Sequence, residues 1–377
     1  MNYILKHFDT ALIKFSADAK SSDPGYEILW VNEEKKHLLP LTLHLSEEGI
    51  GDWLKHRTIP KNRAYVHNFL AKCGLSANRP MNIISVSKGL SLNDCYWVTE
   101  EGDEGTFAGN NLYDNRFSKI LANLVFTGYG SGVRSSFRSS PEFTTNGMLP
   151  KCWRRIKGKI YLYKGGTSGA ANAGFEPYSE YYAYQIAAAM GFDAVPYNLS
   201  KWKGTLCSTC ELFTSKEYSY VPVGYIRTKG GMEKVREYYE SLGEKYVKAL
   251  NDMIVFDALI CNVDRHFGNF GLLIDNETNQ IAGPAPLFDH GNSLFNFAWA
   301  DDWSSDKNLE SYVDTLQPSA YDDFIGTAKQ VLTARHRAGL HRLLEFRFKK
   351  HVRYNLESKR LKMIERQIRK RAALLLS

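Results

Sequence analysis

The chain has 377 residues, of which 44% are hydrophobic and 24% charged, a composition typical of a globular protein with two or three domains. It contains no run of about 18 apolar residues, so a membrane span is not expected. Its N-terminus lacks the apolar segment of a secretory signal, which predicts a cytoplasmic location. The net charge of +7 favours anionic partners.

Six cysteines are scattered along the chain, and without a secretory signal they are expected to be reduced thiols. Cys207 and Cys210 form a CxxC pair. A zinc or redox site would need a second pair or nearby histidine ligands, and the sequence supplies neither. We therefore interpret the pair as two small residues on a strand.

The first part of the chain, residues 1–125, is predicted to be a separate mixed α/β subdomain. Short apolar stretches at 11–15 and 27–31 lie between Gly, Pro and Asn residues, as strands and turns do. Between residues 50 and 77 the apolar spacing is helical. No residue of this part suggests catalysis.

Residues 126–215 are predicted to be mainly β-structure with one helix. Two short strands flank a turn at 157–158. A helix follows, for which we expect Ser179 as the N-cap, Glu180 in the first turn and Gly191 at the end.

Residues 216–377 are predicted to be mostly helical. The segment 246–260 is apolar over a wide face and predicts a buried helix. It leads directly into the polar segment 262–269.

Three side chains that offer oxygen atoms as ligands follow this helix, in a spacing that suits phosphoryl transfer. Asp264 precedes Asn269 by five positions, and Asp289 ends a later strand-like segment. A carboxylate can accept the proton of an attacking hydroxyl, and carboxylate and amide oxygens are ligands that Mg²⁺ prefers. The alternative is that Asp264 belongs to a helix-ending turn with a local ion pair and Asp289 to an ordinary turn.

The segment Asn-Val-Asp-Arg-His-Phe-Gly-Asn at 262–269, followed by Pro-Leu-Phe-Asp at 286–289, resembles the D-R-H-x-x-N and L-Y-D motifs of the HipA kinase family, to which the CtkA-type kinases are related. The resemblance covers roughly residues 140–300. It implies that Asp264 is the catalytic base and that Asn269 and Asp289 hold magnesium.

The same resemblance implies further roles in ATP binding. Lys164 corresponds to the strand lysine that contacts the α- and β-phosphates, and His266 lies close to the phosphates. Glu211 and Phe213 correspond to the hinge residues whose backbone groups hold the adenine. In the N-terminal part, only 39–41 faintly resembles the family's extra subdomain.

Two segments are candidates for the phosphate-binding loop. The glycine cluster at 128–132 can present backbone N–H groups to phosphates. The segment 144–151 is favoured because it directly precedes the strand pair that ends in Lys164, and it resembles the family's G-x-x-P-K loop. Its candidate ATP-binding residues are Thr144, Thr145, Asn146, Gly147 and Lys151.

Relatives in this family phosphorylate a hydroxyl in their own phosphate loop. The nearest hydroxyls in this chain belong to Thr144 and Thr145, and more distant candidates are Ser131, Ser135, Ser136, Ser139 and Ser140. A phosphate there would add close to two negative charges and repel ATP.

Glu180 has two possible roles. It can orient Lys164, as the corresponding helix glutamate does in protein kinases. Alternatively, it is a first-turn acid that the helix dipole stabilises.

The resemblance implies an α+β fold, bilobal like a protein kinase, with an additional N-terminal α/β subdomain. It implies an ATP- and Mg²⁺-dependent serine/threonine kinase that also phosphorylates itself and whose protein substrate the sequence does not identify. The alternatives are a small-molecule kinase on the same scaffold and a non-catalytic binding module associated with nucleotides or DNA. Family members include toxins neutralised by an antitoxin-like partner.

The basic stretch from Arg335 to Arg371 has two interpretations. Basic C-terminal helices can contact nucleic acid. They can equally be solvated helix faces that cover an acidic neighbour.

Overall fold

The protein is described by a computed structural model that covers residues 1–130, 139–226 and 230–377. Ser131, Ser135 and Ser136 lie outside the described residues. The strands are β1 Asn2–His7, β2 Thr10–Ala17, β3 Tyr26–Val31, β4 Tyr96–Glu100, β5 Lys151–Ile156, β6 Lys159–Gly165, β7 Tyr197–Trp202, β8 Thr205–Glu211, β9 Tyr218–Pro222, β10 Gly271–Asp275 and β11 Gln280–Pro284.

The helices are α1 Glu47–Lys55, α2 Val66–Lys72, α3 Pro80–Ser87, α4 Phe107–Asn110, α5 Lys119–Thr127, α6 Glu176–Met190, α7 Val223–Ile226, α8 Gly231–Leu242, α9 Glu244–Ile260, α10 Asp306–Val313, α11 Phe324–Gln330, α12 Ala334–Leu343 and α13 Ser358–Leu376. Short 3-10 helices lie at Glu33–Leu38, Pro141–Phe143 and Asp302–Ser304. Among the described residues, no helix is both long enough and apolar enough to cross a bilayer.

The chain forms two compact units. The first contains Met1–Tyr163, Leu212–Val221 and Leu273–Ala282, and the second contains Lys164–Glu211, Pro222–Leu272 and Gly283–Ser377. The three-part division at 125/126 and 215/216 stays a prediction.

The first unit has a four-stranded antiparallel sheet at its N-terminal end, in the order β3-β2-β1-β4. Leu5 lies opposite Ile13 on one side and Val98 on the other, and all three side chains are buried in one apolar cluster. Helix α1 adds Trp53 and Leu54 to this cluster. The strands predicted at 11–15 and 27–31 are confirmed as parts of β2 and β3.

The second unit contains the predicted buried helix, which spans Glu244–Ile260 as α9. It ends where Cys261 adopts a left-handed backbone with φ of +49°. In the same unit β7 and β8 form an antiparallel hairpin that pairs Tyr197 with Cys210.

The start predicted for α6 is wrong. The helix begins at Glu176, with Pro177 in its first turn, where a proline costs no hydrogen bond. Ser179 is therefore inside the helix, and its hydroxyl donates to the carbonyl of Ser293 at 2.9 Å. Glu180 lies one turn into the helix instead of in its first turn, which removes the basis of the helix-dipole interpretation.

Candidate functional site

The loop that follows α9 presents Asp264 to solvent. One carboxylate oxygen of Asp264 accepts a hydrogen bond from Asn292 Nδ2 at 2.7 Å. The backbone N–H of Asn269 donates to the carbonyl of His266 at 2.9 Å, and Asn269 Nδ2 lies 3.3 Å from the carbonyl of Asp264. The loop thus folds back so that Asp264 and Asn269 are neighbours.

Arg265 holds this loop from the inside. Its guanidinium donates to both carboxylate oxygens of Asp257, on α9, at 2.9 Å each, and both side chains are fully buried. Arg265 Nη1 also donates at 2.9 Å to the carbonyls of Asn269 and Phe288. The loop with Asp264 and Asn269 is therefore attached to the backbone just before Asp289.

Lys164 lies at the end of β6 between two carboxylates. Its Nζ is 2.8 Å from Glu180 Oε1 and also donates to Asp289 Oδ1. The other oxygen of Glu180 accepts the backbone N–H of His290 at 2.7 Å. Glu180 therefore fixes both the lysine and the peptide that follows Asp289. The structure thus brings together Lys164, Glu180 and Asp289.

Electrostatics favour a charged lysine at this position. Burial acts to lower the pKa of Lys164, but the carboxylates of Asp289 and Glu180 outweigh burial, so the pKa of Lys164 is raised. Burial raises the pKa of Glu180, and the ammonium group of Lys164 opposes that increase. The ammonium form is therefore the stable form of Lys164 at neutral pH.

Asp289 has an unusual backbone conformation, with φ of +58°. A left-handed backbone costs an ordinary L-residue about 1 kcal/mol, and such residues are concentrated at functional sites. The Asp289 N–H donates to the hydroxyl of Tyr197 at 3.1 Å. The strained peptide is thus held in place by Tyr197 on one side and Glu180 on the other.

The side chains of Asn269 and Asp289 suit a hard divalent cation. They offer amide and carboxylate oxygens, and Mg²⁺ takes one or two such protein ligands while water and phosphate oxygens complete its shell. Asp289 is about one-third exposed, so its carboxylate can be reached from solvent. The donor chemistry of these two side chains therefore fits magnesium.

The candidate phosphate loop, residues 144–151, belongs to the first unit. Arg63, which is buried, donates to the carbonyl of Thr145 at 2.8 Å and also to the carbonyl of Lys151. Gly147 has φ of +94°, and a Cβ at that position would lie 2.2 Å from Lys151 Nζ. A side chain at 147 would therefore push the lysine away. Asn146, between Thr145 and Gly147, is exposed.

The two threonines of this loop use their hydroxyls inside the fold. Thr144 is buried and donates to the carbonyl of Leu90 at 2.7 Å. Thr145 donates to the carbonyl of Pro141 at 2.6 Å and accepts from Trp153 Nε1 at 2.9 Å. In this conformation neither hydroxyl is presented as a phosphate acceptor.

The serines proposed as more distant acceptors divide into two groups. Ser139 and Ser140 are described, and their hydroxyls donate to the carbonyl of Ser87 at 2.6 Å and to Glu142 Oε2 at 2.7 Å. Ser131, Ser135 and Ser136 lie outside the described residues.

The candidate hinge residues lie at the end of β8 and just beyond it. Glu211 is the last residue of β8 and is exposed. Phe213 packs edge-on against Tyr220, with ring centroids 5.5 Å apart. Leu212, between Glu211 and Phe213, donates its N–H to the carbonyl of Ile160 at 2.8 Å. Cys207 and Cys210 precede the hinge on β8, as predicted.

Sequence reasoning missed three residues that organise these loops: Asp257, Asn292 and Arg63. A signal for Asp257 was present, because it is the single acid in the apolar run 253–260, and such an acid has to find a partner when the helix is buried. Asn292 and Arg63 carry no comparable local signal. Their importance comes from partners that are distant in the sequence.

Many basic side chains of the C-terminal helices are paired within the second unit. Arg335 contacts Asp252, Arg366 lies 2.7 Å from Asp306, and Lys370 contacts Glu310. At these positions the structure agrees with the interpretation of a basic helix face over acidic neighbours.

Comparisons with known proteins support the HipA-like fold. No protein-family model matches the chain. The chain is 29% identical to the serine/threonine-protein kinase CtkA of Helicobacter pylori, in a region that covers 38% of this chain and 48% of that protein, so it spans about half the length of this curated relative.

Two solved structures are similar. The Shewanella oneidensis HipA, in the complex of a toxin–antitoxin system with HipB and its operator DNA, matches with a TM-score of 0.56 and 15% identity, and the match covers 98% of this chain and 96% of that chain. The Helicobacter pylori proinflammatory kinase CtkA gives a TM-score of 0.48 at 17% identity, with 62% of this chain and 90% of that chain covered. The α+β fold is that of HipA, and the predicted resemblance to the HipA-like serine/threonine kinases is confirmed.

Proposed function

We propose that the protein transfers the γ-phosphoryl group of Mg-ATP to serine or threonine hydroxyls of a protein. The observation that carries this proposal is the arrangement around Arg265. Arg265 joins the loop that carries Asp264 and Asn269 to the segment that ends in Asp289. Asp289 in turn contacts Lys164. A base candidate, two metal-ligand candidates and a phosphate-binding cation are thus parts of one hydrogen-bonded assembly within the second unit.

Each residue has a definite task in this proposal. Mg-ATP, when bound, supplies the phosphoryl group and the cation that offsets its negative charge. Asp264, which is exposed and held by Asn292, accepts or orients the hydroxyl proton of the acceptor. Asn269 and Asp289 provide the oxygens for Mg²⁺, and Lys164, oriented by Glu180, faces the phosphates.

Further residues of the chain bind ATP in this proposal. The loop 144–151, with its left-handed Gly147 and the nearby Lys151, binds phosphate. Backbone groups of Glu211 and Phe213 hold the adenine, and His266 lies close to the phosphates. The three-part domain division, with an N-terminal subdomain at 1–125, belongs to the same proposal.

The partners follow from the relatives. The Shewanella HipA was solved with HipB and its operator DNA. We extend this to an antitoxin-like partner for this chain, together with a protein substrate.

A direct test measures phosphoryl transfer by the purified protein and by its Asp264→Asn variant, with Mg-ATP as the donor and mass spectrometry as the readout. The wild type should gain mass in steps of one phosphate, because its own hydroxyls are acceptors. Asp264→Asn should slow phosphoryl transfer by about a hundred- to ten-thousandfold, which is the usual contribution of a general base to the rate. Circular dichroism of both proteins checks the fold.

Other outcomes of this experiment would indicate one of the alternative functions or a different mechanism. Wild-type protein that binds ATP but transfers no phosphate to itself, to protein mixtures or to small acceptors would indicate a non-catalytic module. Transfer to small alcohols or sugars alone would indicate a small-molecule kinase. A folded Asp264→Asn variant with the native rate would remove Asp264 from the mechanism.

A further inference from the structure

The connection between α12 and α13 carries an unbalanced positive charge. From Phe346 to Leu356 the chain contains four cationic side chains and no acid, and acids appear only beyond the two ends, in Glu345 and Glu357. The cations are Arg347, Lys349, Lys350 and Arg353, all exposed. The connection therefore has no acid of its own to balance them.

The backbone of this connection is hydrogen-bonded to α6 and within its own turn. Lys349 and Gln185 form two reciprocal hydrogen bonds, at 2.8 and 3.0 Å, so the turn is attached to α6. Asn355 accepts the N–H of His351 at 2.8 Å and donates to its carbonyl at 2.6 Å. Tyr182, also on α6, donates to Asn355 at 3.0 Å. The cations therefore project from a fixed turn.

The tip of the β7–β8 hairpin adds two more cations to the same surface. Lys201 Nζ lies 5.7 Å from the ring centroid of Tyr354, which joins the hairpin tip to the turn. Lys203 is exposed, in a tight turn completed by Gly204. Tyr354 also stacks on His351, with centroids 5.3 Å apart and an interplanar angle of 9°. Aromatic rings thus lie among the cations.

These cations differ from those of the neighbouring helices. Arg335, Arg366 and Lys370 are paired with carboxylates in the second unit. Within the described parts of the chain, no ion pair joins an acid to any of the six cations of the connection and the hairpin tip, which are Lys201, Lys203, Arg347, Lys349, Lys350 and Arg353. Their charge is available to a partner.

We propose that these six cations, together with Tyr354, form a surface that binds the phosphate backbone of a nucleic acid. Exposed cations on a hydrogen-bonded turn, without carboxylate partners among the described residues, match the closely and evenly spaced negative charges of a phosphate backbone. Neutralising phosphates releases counterions, so the affinity should depend strongly on salt. The surface shares no residue with those proposed for phosphoryl transfer, and the inference does not require catalysis.

Fluorescence anisotropy with a labelled DNA duplex of about 20 base pairs, and with one of its strands alone, tests this proposal. The full chain should bind at low salt, with log affinity falling linearly against log salt. Lys349→Gln combined with Arg353→Gln should weaken binding at least about tenfold at low salt. It should also make the slope of log affinity against log salt shallower by about 2. Each phosphate that a cation neutralises contributes close to 0.9 to the steepness of that slope.

The matched control is Arg366→Gln combined with Lys370→Gln. It removes the same two charges, one arginine and one lysine, from positions that are already paired on α13. It should bind as the wild type does, and thermal melting checks that both variants are folded.

Three outcomes would overturn the assignment: no binding of either nucleic acid by the wild type, equal losses in the two double variants, or equal binding to polyglutamate or to anionic lipid vesicles. The last would mean that the surface attracts any polyanion. A loss confined to the Lys349/Arg353 variant, larger for nucleic acid than for the other polyanions, supports the proposal.

Discussion

The guanidinium of Arg265 and the carboxylate of Asp257 meet through two hydrogen bonds of 2.9 Å, and neither side chain is exposed to solvent. Burial raises the pKa of Asp257, and the guanidinium of Arg265, which donates to both of its oxygens, opposes that increase. The pair joins α9 to the loop that carries Asp264. Helix α9 thereby helps to position Asp264, which is exposed to solvent.

We predict that Asp257→Asn destabilises the protein by about 3–5 kcal/mol, because it leaves the buried guanidinium of Arg265 without a countercharge. Asp306→Asn is the matched control, since it breaks a pair with Arg366 in which both side chains are about half exposed. That pair should contribute only about 0–1 kcal/mol to the free energy of unfolding. Denaturant unfolding of both variants measures the difference, and equal losses would contradict the structural role assigned to Asp257.

Lys164→Ala should weaken productive ATP binding. The substitution removes a cation and leaves the carboxylates of Glu180 and Asp289 facing each other. A hydrogen bond to a charged group contributes about 1.5–3 kcal/mol, so we expect kcat/KM for ATP to fall by about ten- to a hundredfold. Lys362→Ala removes an exposed lysine from the same unit and should leave these kinetics unchanged. Native kinetics in Lys164→Ala would exclude this lysine from the nucleotide site.

The candidate catalytic and metal-binding residues could be predicted because the local sequence pattern marks them. Asp264, Asn269 and Asp289 stand out because polar residues directly follow apolar segments, and the buried helix before them has an unambiguous apolar pattern. The start of α6 cannot be placed in the same way, because Gly174 and Pro177 are typical of loops as well as of helix beginnings.

Other features depend on contacts that no local pattern encodes. The hydroxyl of Thr144 is buried because its acceptor is the carbonyl of Leu90, which is 54 residues away in the chain. Arg63 likewise binds the carbonyl of Lys151 across 88 residues. Tertiary packing decides such partners, so the sequence suggests the phosphate loop but not the burial of its hydroxyls.

Self-phosphorylation should modify at least one hydroxyl between residues 131 and 145. Thr144 and Ser140 should be modified most slowly of those that react, since each buried hydroxyl must first give up its hydrogen bond, to Leu90 and to Glu142 respectively. Phosphopeptide mapping after timed incubation with Mg-ATP measures the order, and Asp264→Asn provides the inactive control. An unmodified window in an otherwise phosphorylated protein would count against this loop as the acceptor.

His7 should make stability depend on pH. Burial lowers its pKa to about 4, against the opposing effect of Asp94, so the unfolded chain binds a proton more readily than the folded protein. The stability that neutral His7 provides is therefore present above its unfolded pKa of about 6.5 and is lost as pH falls towards 4. Between pH 7 and 5.5 the loss from this group should be about 1 kcal/mol. Denaturant unfolding at the two pH values measures it, and a His7→Gln variant with the same pH dependence would show that other groups are responsible.

Asp289→Asn should change the metal dependence of the reaction, whereas Asp264→Asn should not. Asp289 is proposed to provide a carboxylate oxygen to Mg²⁺, and an amide in its place is a weaker ligand for a hard cation. We therefore expect the Mg²⁺ concentration for half-maximal turnover to rise by about tenfold in Asp289→Asn. Asp264→Asn should lower kcat and leave that concentration unchanged, because its carboxylate acts on the acceptor hydroxyl. Magnesium titrations of turnover at saturating ATP distinguish the two roles. The assignment fails if both variants shift the titration equally, or if Asp289→Asn responds to Mg²⁺ as the wild type does.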